Sequence, residues 1–410
     1  MAPLKLHMPH TSRLWVAAVL MLGCAGSTGA GNQGAGGATS NGMGGGATAS
    51  GGGPGAGGAG TGGVSSPGTG GASGGLGGSG AGGAATGAGG AGAATGGVPD
   101  PGTVGDGDFT IGPTYTVSPD VRSKNVPHGR LFNFTMSSTA SAIYPGTDPT
   151  LDAANQHSFT RAIVVYVPMQ YVDGTAAPFM VVQDGFVGDV QTALDNLIAD
   201  GRVPAVVAVF VANGGGDSFG SERGLEYDTM SDAYSRFIDT EVLPAVTSHA
   251  ALRAAYPSFK LTTDPNGRAA YGCSSGGAAA LTMGWFTPGS YRLLVTYSGT
   301  FVDQQNPRAP TEAQFPFGAW EYPERLIANN PAKPLRVFLQ VGEMDNGYTM
   351  NEASHHNWVL ANQRVAAALK AKGYHYRFVY ALGASHCDMR VRQQTLPETL
   401  QWMWRGFTGQ

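Results

Sequence analysis

Three stretches of the chain hold side chains that together could activate a hydroxyl for attack on an acyl group. In Tyr271-Gly272-Cys273-Ser274-Ser275-Gly276-Gly277, Ser274 stands in a Gly-x-Ser-x-Gly run that follows an apolar segment and opens the Ala-rich stretch Ala278 to Leu281. A Ser on a tight strand-to-helix turn presents its hydroxyl at a helix N-terminus, where developing negative charge is favoured, and the flanking Gly residues let neighbouring backbone approach. A hydroxyl is a poor nucleophile without a base, and the base needs an acid to orient it. Both follow in the chain. Gly342-Glu343-Met344-Asp345 supplies the acid, with Asp345 preferred over Glu343 for its place in a G-x-x-D turn, and Gly383-Ala384-Ser385-His386-Cys387-Asp388 supplies His386 as the base.

Charge that builds on an attacked carbonyl oxygen needs backbone donors. One is the N–H of Ser275. The second is expected from the loop after Phe179-Met180-Val181-Val182-Gln183, at Gly185 or Phe186, with an ordinary Asp-Gly turn as the alternative. Asp184 and the run Arg223-Gly224-Leu225-Glu226-Tyr227 are candidates for substrate contact, with a structural ion pair as the alternative. Asn213 to Asp217 lacks the Lys and Ser/Thr of a phosphate loop and is read as a loop near the substrate. The adjacent His355 and His356 have no zincin pattern and no Cys-x-x-Cys partner, so no metal site is expected; His128, His157, His249 and His375 are read as surface residues.

The elements that must position these groups are legible as short runs rich in aliphatic and β-branched residues: Ala162 to Pro168, Phe179 to Gln183, Ala205 to Val211, Ala269 to Gly272, Leu293 to Tyr297, Val337 to Val341 and Tyr376 to Tyr380. Segments of helical periodicity lie between them: Val190 to Ile198, Ser231 to Val246, Gly277 to Trp285, Trp358 to Lys370 and Pro397 to Trp404. Strands buried on both faces and alternating with helices imply a mostly parallel central sheet covered by helices on both faces. The acid and the base then fall at the carboxyl ends of strands, where such sheets place their sites.

These residues resemble the esterase family that includes enterochelin esterases, feruloyl esterases and related α/β-hydrolases. The likeness rests on Gln183-Asp184-Gly185, Arg223 with Glu226-Tyr227, Gly272-Cys273-Ser274-Ser275-Gly276-Gly277, Tyr297-Ser298-Gly299-Thr300-Phe301, Gly342 with Asp345, and Ser385-His386-Cys387. The Cys-Ser and His-Cys pairs also resemble the CS-D-HC arrangement of tannases and fungal feruloyl esterases. The resemblance implies an α/β-hydrolase fold and hydrolysis of carboxylic esters without a cofactor, and it does not fix the ester; with an exported chain, small-molecule or polysaccharide-linked esters of carbohydrate or aromatic-acid (feruloyl) type are expected. Acyl transfer on the same fold and a non-catalytic surface binding domain are the rival readings.

Composition divides the chain. Of its 410 residues 65 are Gly, and most of these lie between Cys24 and Gly107, a stretch with almost no charge or large apolar residue that is expected to be a disordered linker over residues 25–107. The folded domain is expected over 108–410, with 108–160 as a β-rich extension. Lys5 and Arg13 precede the apolar run Leu14 to Leu22 and Gly23-Cys24, which reads as a signal peptide over residues 1–24. Leu20-Met21-Leu22-Gly23-Cys24 resembles the lipobox of bacterial lipoproteins, so lipidation of Cys24 is expected, with the protein secreted across the inner membrane and anchored at the envelope, on the outer membrane. A signal peptide cleaved nearby is the alternative. The net charge of −4, with no basic run, gives nucleic acid nothing to bind. With Cys24 acylated, Cys273 and Cys387 remain as an even pair, each beside a residue that must come within reach of the other, so a disulfide between them is expected, with two buried thiols as the alternative.

Overall fold

A computed structural model describes residues 101–304 and 314–407. The signal segment, Cys24 and the linker up to residue 100 lie outside the described residues. The strands are β1 (Gly107–Ile111), β2 (Arg130–Ser137), β3 (Thr160–Val167), β4 (Ala176–Ala177), β5 (Phe179–Gln183), β6 (Val207–Val211), β7 (Lys260–Leu261), β8 (Arg268–Cys273), β9 (Leu293–Tyr297), β10 (Arg336–Met344) and β11 (His375–Ser385). Nine of them form one sheet in the order β1-β11-β10-β9-β8-β5-β6-β3-β2, while β4 and β7 make a small parallel pair. β3 is antiparallel to both β2 and β6, so it alone runs against the sheet.

The helices are α1 (Gly188–Ala199), α2 (Glu222–Tyr227), α3 (Ala233–Phe237), α4 (Leu243–Ser248), α5 (Ala250–Ala255), α6 (Ser275–Phe286), the single turn α7 (Ile327–Asn329), α8 (Trp358–Ala371) and α9 (Met389–Trp404). They cover both faces. Val181, Val209 and Leu339 pack with α6 and α8 on one side, while Met180, Val182 and Phe210 pack with α1 and α9 on the other. This is the α/β-hydrolase arrangement. β5, β6 and β9 are buried at every position, which is why they read as mostly apolar runs rather than alternating ones. α6 is buried on all sides, consistent with its Ala- and Gly-rich sequence.

The structure extends several of the expected elements. α9 begins at Met389, capped by Asp388 accepting from Arg390 N at 2.9 Å, and runs through Pro397 because Val391, Leu396 and Leu400 are buried against the sheet. The linker boundary expected at 107 falls inside folded chain. Asp106 accepts from Trp402 Nε1 at 2.9 Å and lies 2.8 Å from His375 Nδ1. Nor is 108–160 an appendage: it supplies β1 and β2, the two opposite borders of the main sheet. No helix among the described residues is long and apolar enough to cross a membrane.

Candidate active site

Ser274 links β8 to α6 with φ 59° and ψ −131°. This conformation is unfavourable for a residue with a Cβ, and its surroundings hold it: Ser274 N donates to Tyr297 O at 3.0 Å and Ser274 O accepts from Thr300 N at 3.1 Å. The turn is tight enough to require Gly272, since a Cβ there would lie 2.2 Å from the backbone of Gly276. Asp345, just beyond β10, is fully buried, and its Oδ1 lies 2.6 Å from His386 Nδ1. An ionised carboxylate can only accept, so the imidazole proton belongs on Nδ1 and Nε2 is left as the basic nitrogen. Asp345 also accepts from Ser298 Oγ at 2.7 Å and from Asn346 N at 2.8 Å. Glu343 does not reach the His; it points outward and accepts from Gly383 N.

Ser274 and His386 line one cleft of about 420 Å³ together with Arg223, Gln304, Asn346 and Trp358. In this state Ser274 Oγ lies 3.3 Å from Thr300 Oγ1, and no hydrogen bond joins it to His386. Catalytic hydrogen bonds are commonly loose before substrate binds. Cys273 and Cys387 form a disulfide with Cα atoms 6.1 Å apart, so the residues next to Ser274 and His386 are covalently tied.

The oxyanion expectation needs one correction. Gly185 donates its N–H to Val211 O at 3.0 Å and is not available. The N–H groups of Phe186 and of Ser275, the first residue of α6, carry no hydrogen bond among the described residues. The two loops meet closely, since a Cβ on Gly276 would lie 2.8 Å from Asp184 Oδ2.

The family described as "Putative esterase" matches residues 157–403. The chain belongs to this esterase family. It is therefore an ester hydrolase. Among solved structures it is similar to a ferulic acid esterase, with 17% identity over 68% of this chain and 100% of that one and a TM-score of 0.47. The enterobactin esterase of Shigella flexneri is similar at 16% identity over 69% of this chain and 60% of that one, with a TM-score of 0.44. A ferulic acid esterase of Anaeromyces mucronatus matches at 12% identity over 71% and 98%, with a TM-score of 0.47. No curated protein matches.

In this esterase only Arg223, of the four residues expected to touch substrate, lines the cleft. Its Nε and Nη2 bind Asp184 at 2.8 and 3.2 Å, and its Nη1 binds Asp217 Oδ1 at 3.0 Å. Asp184 is thus the anchor of that Arg. Glu226 is buried beneath the site in a two-pronged pair with Arg161, at 2.9 and 3.1 Å, and also accepts from Gly214 N. Tyr227 is buried as well, its hydroxyl accepting from Asp184 N at 3.0 Å. The last two therefore hold the scaffold of the site, as the ion-pair alternative had it for Glu226.

Several residues given no role by the sequence reading belong to the site. Ser298 Oγ, besides donating to Asp345, accepts from Cys387 N at 3.0 Å, clipping the acid loop to the base loop. Trp358 Nε1 donates to Thr300 Oγ1 at 3.2 Å, and its ring meets that of His386 edge-on at 6.1 Å. Asp228 is buried behind Ser275, accepting from Ser275 Oγ at 3.1 Å and Gln304 Nε2 at 2.9 Å, and burial pushes its carboxyl up to about 7. Ser298 and Thr300 follow the end of β9, so the carboxyl-end rule could have found them. Trp358 and Asp228 carry no such signal. Among the described residues no group of three or more His, Cys, Asp or Glu is arranged to hold a metal ion.

Proposed function

We propose that the protein is a serine esterase that works through an acyl-enzyme. His386 Nε2 takes the proton of Ser274 as Oγ attacks the ester carbonyl, the backbone N–H groups of Ser275 and Phe186 hold the oxyanion, and His386 returns the proton to the departing alcohol. Water, activated by the same imidazole, then releases the acid. Asp345 keeps the tautomer that leaves Nε2 basic. The observation that carries this reading is the 2.6 Å contact between fully buried Asp345 and His386, beside a Ser held at positive φ on the same cleft.

The cleft is lined by polar Asp217, Ser218, Gln304 and Asn346 and by the ring of Trp358. Exposed apolar side chains stand in the loops and at the element ends that carry the site, Phe186, Phe219 and Tyr348 in loops, Met344 at the end of β10 and Met389 at the start of α9. Polar groups beside an aromatic face, within an apolar rim, suit a bulky ester that joins an aromatic acid to a carbohydrate or other polymer. The chain is read as exported and held by lipid on Cys24, which mass spectrometry of the native membrane fraction tests. A fluorophosphonate probe should label Ser274 in the wild type; labelling elsewhere, or none, would overturn the mechanism.

A further inference from the structure

The far end of the sheet holds a second cavity, of about 210 Å³. Leu293, Arg336 and His375, which line it, are the first residues of β9, β10 and β11, whereas Ser274, Asp345 and His386 lie just past the ends of β8, β10 and β11. The two cavities therefore occupy opposite ends of the same strands. The walls of this one are largely apolar, with Leu293, Leu335, Met403 and Phe407, yet Arg292, Lys333, Arg336 and Arg405 also stand in the lining and no Asp or Glu does.

Three of these cations are held by neutral groups among the described residues. Arg292 donates to Pro288 O at 3.0 Å and to Asn266 Oδ1 at 3.1 Å, Lys333 Nζ lies 4.8 Å from the centre of the Trp285 ring, and Arg405 donates to Val104 O. Arg336 Nη1 donates to Arg405 O at 3.1 Å, and Asp106, a carboxylate on this side, is engaged by Trp402 and His375. A lining that carries cations and no carboxylate beside an apolar wall favours an anion. A chamber with apolar walls and a cationic rim selects a molecule of the opposite pattern, an apolar body with one anionic head. Its size fits one ring or a short chain, since an engineered cavity of about 150 Å³ takes benzene.

We propose that this cavity binds a small carboxylate with an apolar body, the class of acid that an ester hydrolase releases from an aromatic or aliphatic ester. The guanidinium of Arg292 and the ammonium of Lys333 take the carboxylate through charge-assisted hydrogen bonds, and the ring or chain lies against Leu293, Leu335 and Met403. The esterase would then hold one kind of acid at two places: transiently at Ser274, and reversibly at the opposite end of the sheet.

Calorimetric titration of the full chain with cinnamate tests this, with neutral cinnamamide as the control. The expected result is saturable binding of cinnamate that persists after Ser274 is blocked with a fluorophosphonate, at least tenfold weaker binding of the amide, and at least tenfold weaker cinnamate binding in Arg292→Met/Lys333→Met. Binding abolished by the block would put cinnamate in the catalytic cleft and overturn the proposal, as would equal affinity for the amide, or wild-type affinity in a variant that melts normally. The amide control decides the matter if the variant fails to fold. Failure of the label to attach would count against the serine mechanism, leaving the amide and the variant to judge this site.

Discussion

The two ends of the parallel strands are built from different backbone. Among the described residues five non-glycine residues have positive φ, Asp184 at 64°, Ser274 at 59°, Ser298 at 46°, His355 at 53° and Cys387 at 50°. All five lie in loops that follow the carboxyl ends of β5, β8, β9, β10 and β11. At the amino ends the non-glycine backbone is relaxed, and what is unusual there is charge. A strained residue costs about 1 to 3 kcal/mol and persists only where its surroundings over-determine it. The carboxyl end supplies such surroundings: Ser298 clips Asp345 to Cys387, and Cys387 is bonded to Cys273. Reaction needs groups fixed to a fraction of an ångström, whereas holding an anion needs mainly charge and space, so the backbone cost is confined to one end.

The comparison breaks most plainly if chemistry does not depend on the strained Ser. Ser274→Ala should lower kcat on an activated ester by about 10⁴-fold or more, with an unchanged melting transition. More than a few per cent of residual turnover would move the nucleophile elsewhere. Asp345→Asn removes the tautomer lock and should cost about 10² to 10⁴-fold. Glu343→Gln removes a charge that does not reach His386, keeps a carbonyl oxygen to accept from Gly383 N, and should stay near wild type. The reverse ranking would make Glu343 the acid.

Much of this architecture was legible before any coordinates. Phe179–Gln183 and Leu293–Tyr297 are strands over the expected bounds, because both are mostly apolar and bounded by turns. The stretch 108–160 reads as β-rich without giving the bounds of β1 and β2, since border strands alternate burial and carry polar residues on their open face. α9 was read too short because Pro397 looks like a start, when the buried Val391, Leu396 and Leu400 carry the helix through it. The Ser274, Asp345 and His386 positions could be proposed from chain order and strand ends. That Gly185 donates to Val211 O, and that Glu226 faces Arg161, are facts of tertiary packing with no local signature.

The disulfide sharpens the comparison because it joins two carboxyl ends and touches nothing at the amino end. It closes a loop with a sequence separation of 114 residues. A loop that long removes about 4 to 5 kcal/mol of unfolded-state freedom in the chain-entropy account, an upper figure. Cys273→Ala/Cys387→Ala should therefore lower the urea midpoint. Below that midpoint it should also lower kcat several-fold, because the first thing released is the spacing of Ser274 and His386. Binding of cinnamate at the far end should be unaffected in the same folded variant. Loss of both functions in parallel would mean the two ends are not separable.

The smallest expected effect is on stability, and it too belongs to the carboxyl end. Asp228 sits behind Ser275, and burial pushes its carboxyl up to about 7 from an ordinary value of 3.8, against the opposing pull of its bonds from Gln304 and Ser275. Between those values the folded protein keeps a proton that the unfolded chain has lost. The folded state then binds more protons than the unfolded one, so stability falls as pH rises from about 4 to about 7 and levels off above. Glu222, pushed up to about 7 by burial and by the neighbouring Glu226, contributes a fall of the same sign. Asp228→Asn replaces the titrating group with one that never ionises, and it can still accept from Ser275 Oγ through its carbonyl oxygen. Urea midpoints measured across this pH range should show a shallower decline in Asp228→Asn than in the wild type, and a shallower one still when Glu222→Gln is added, with buried Glu226, also pushed up, keeping the rest. An Asp228→Asn profile parallel to that of the wild type would mean that Asp228 is ionised throughout, with its charge met by Gln304 and Ser275.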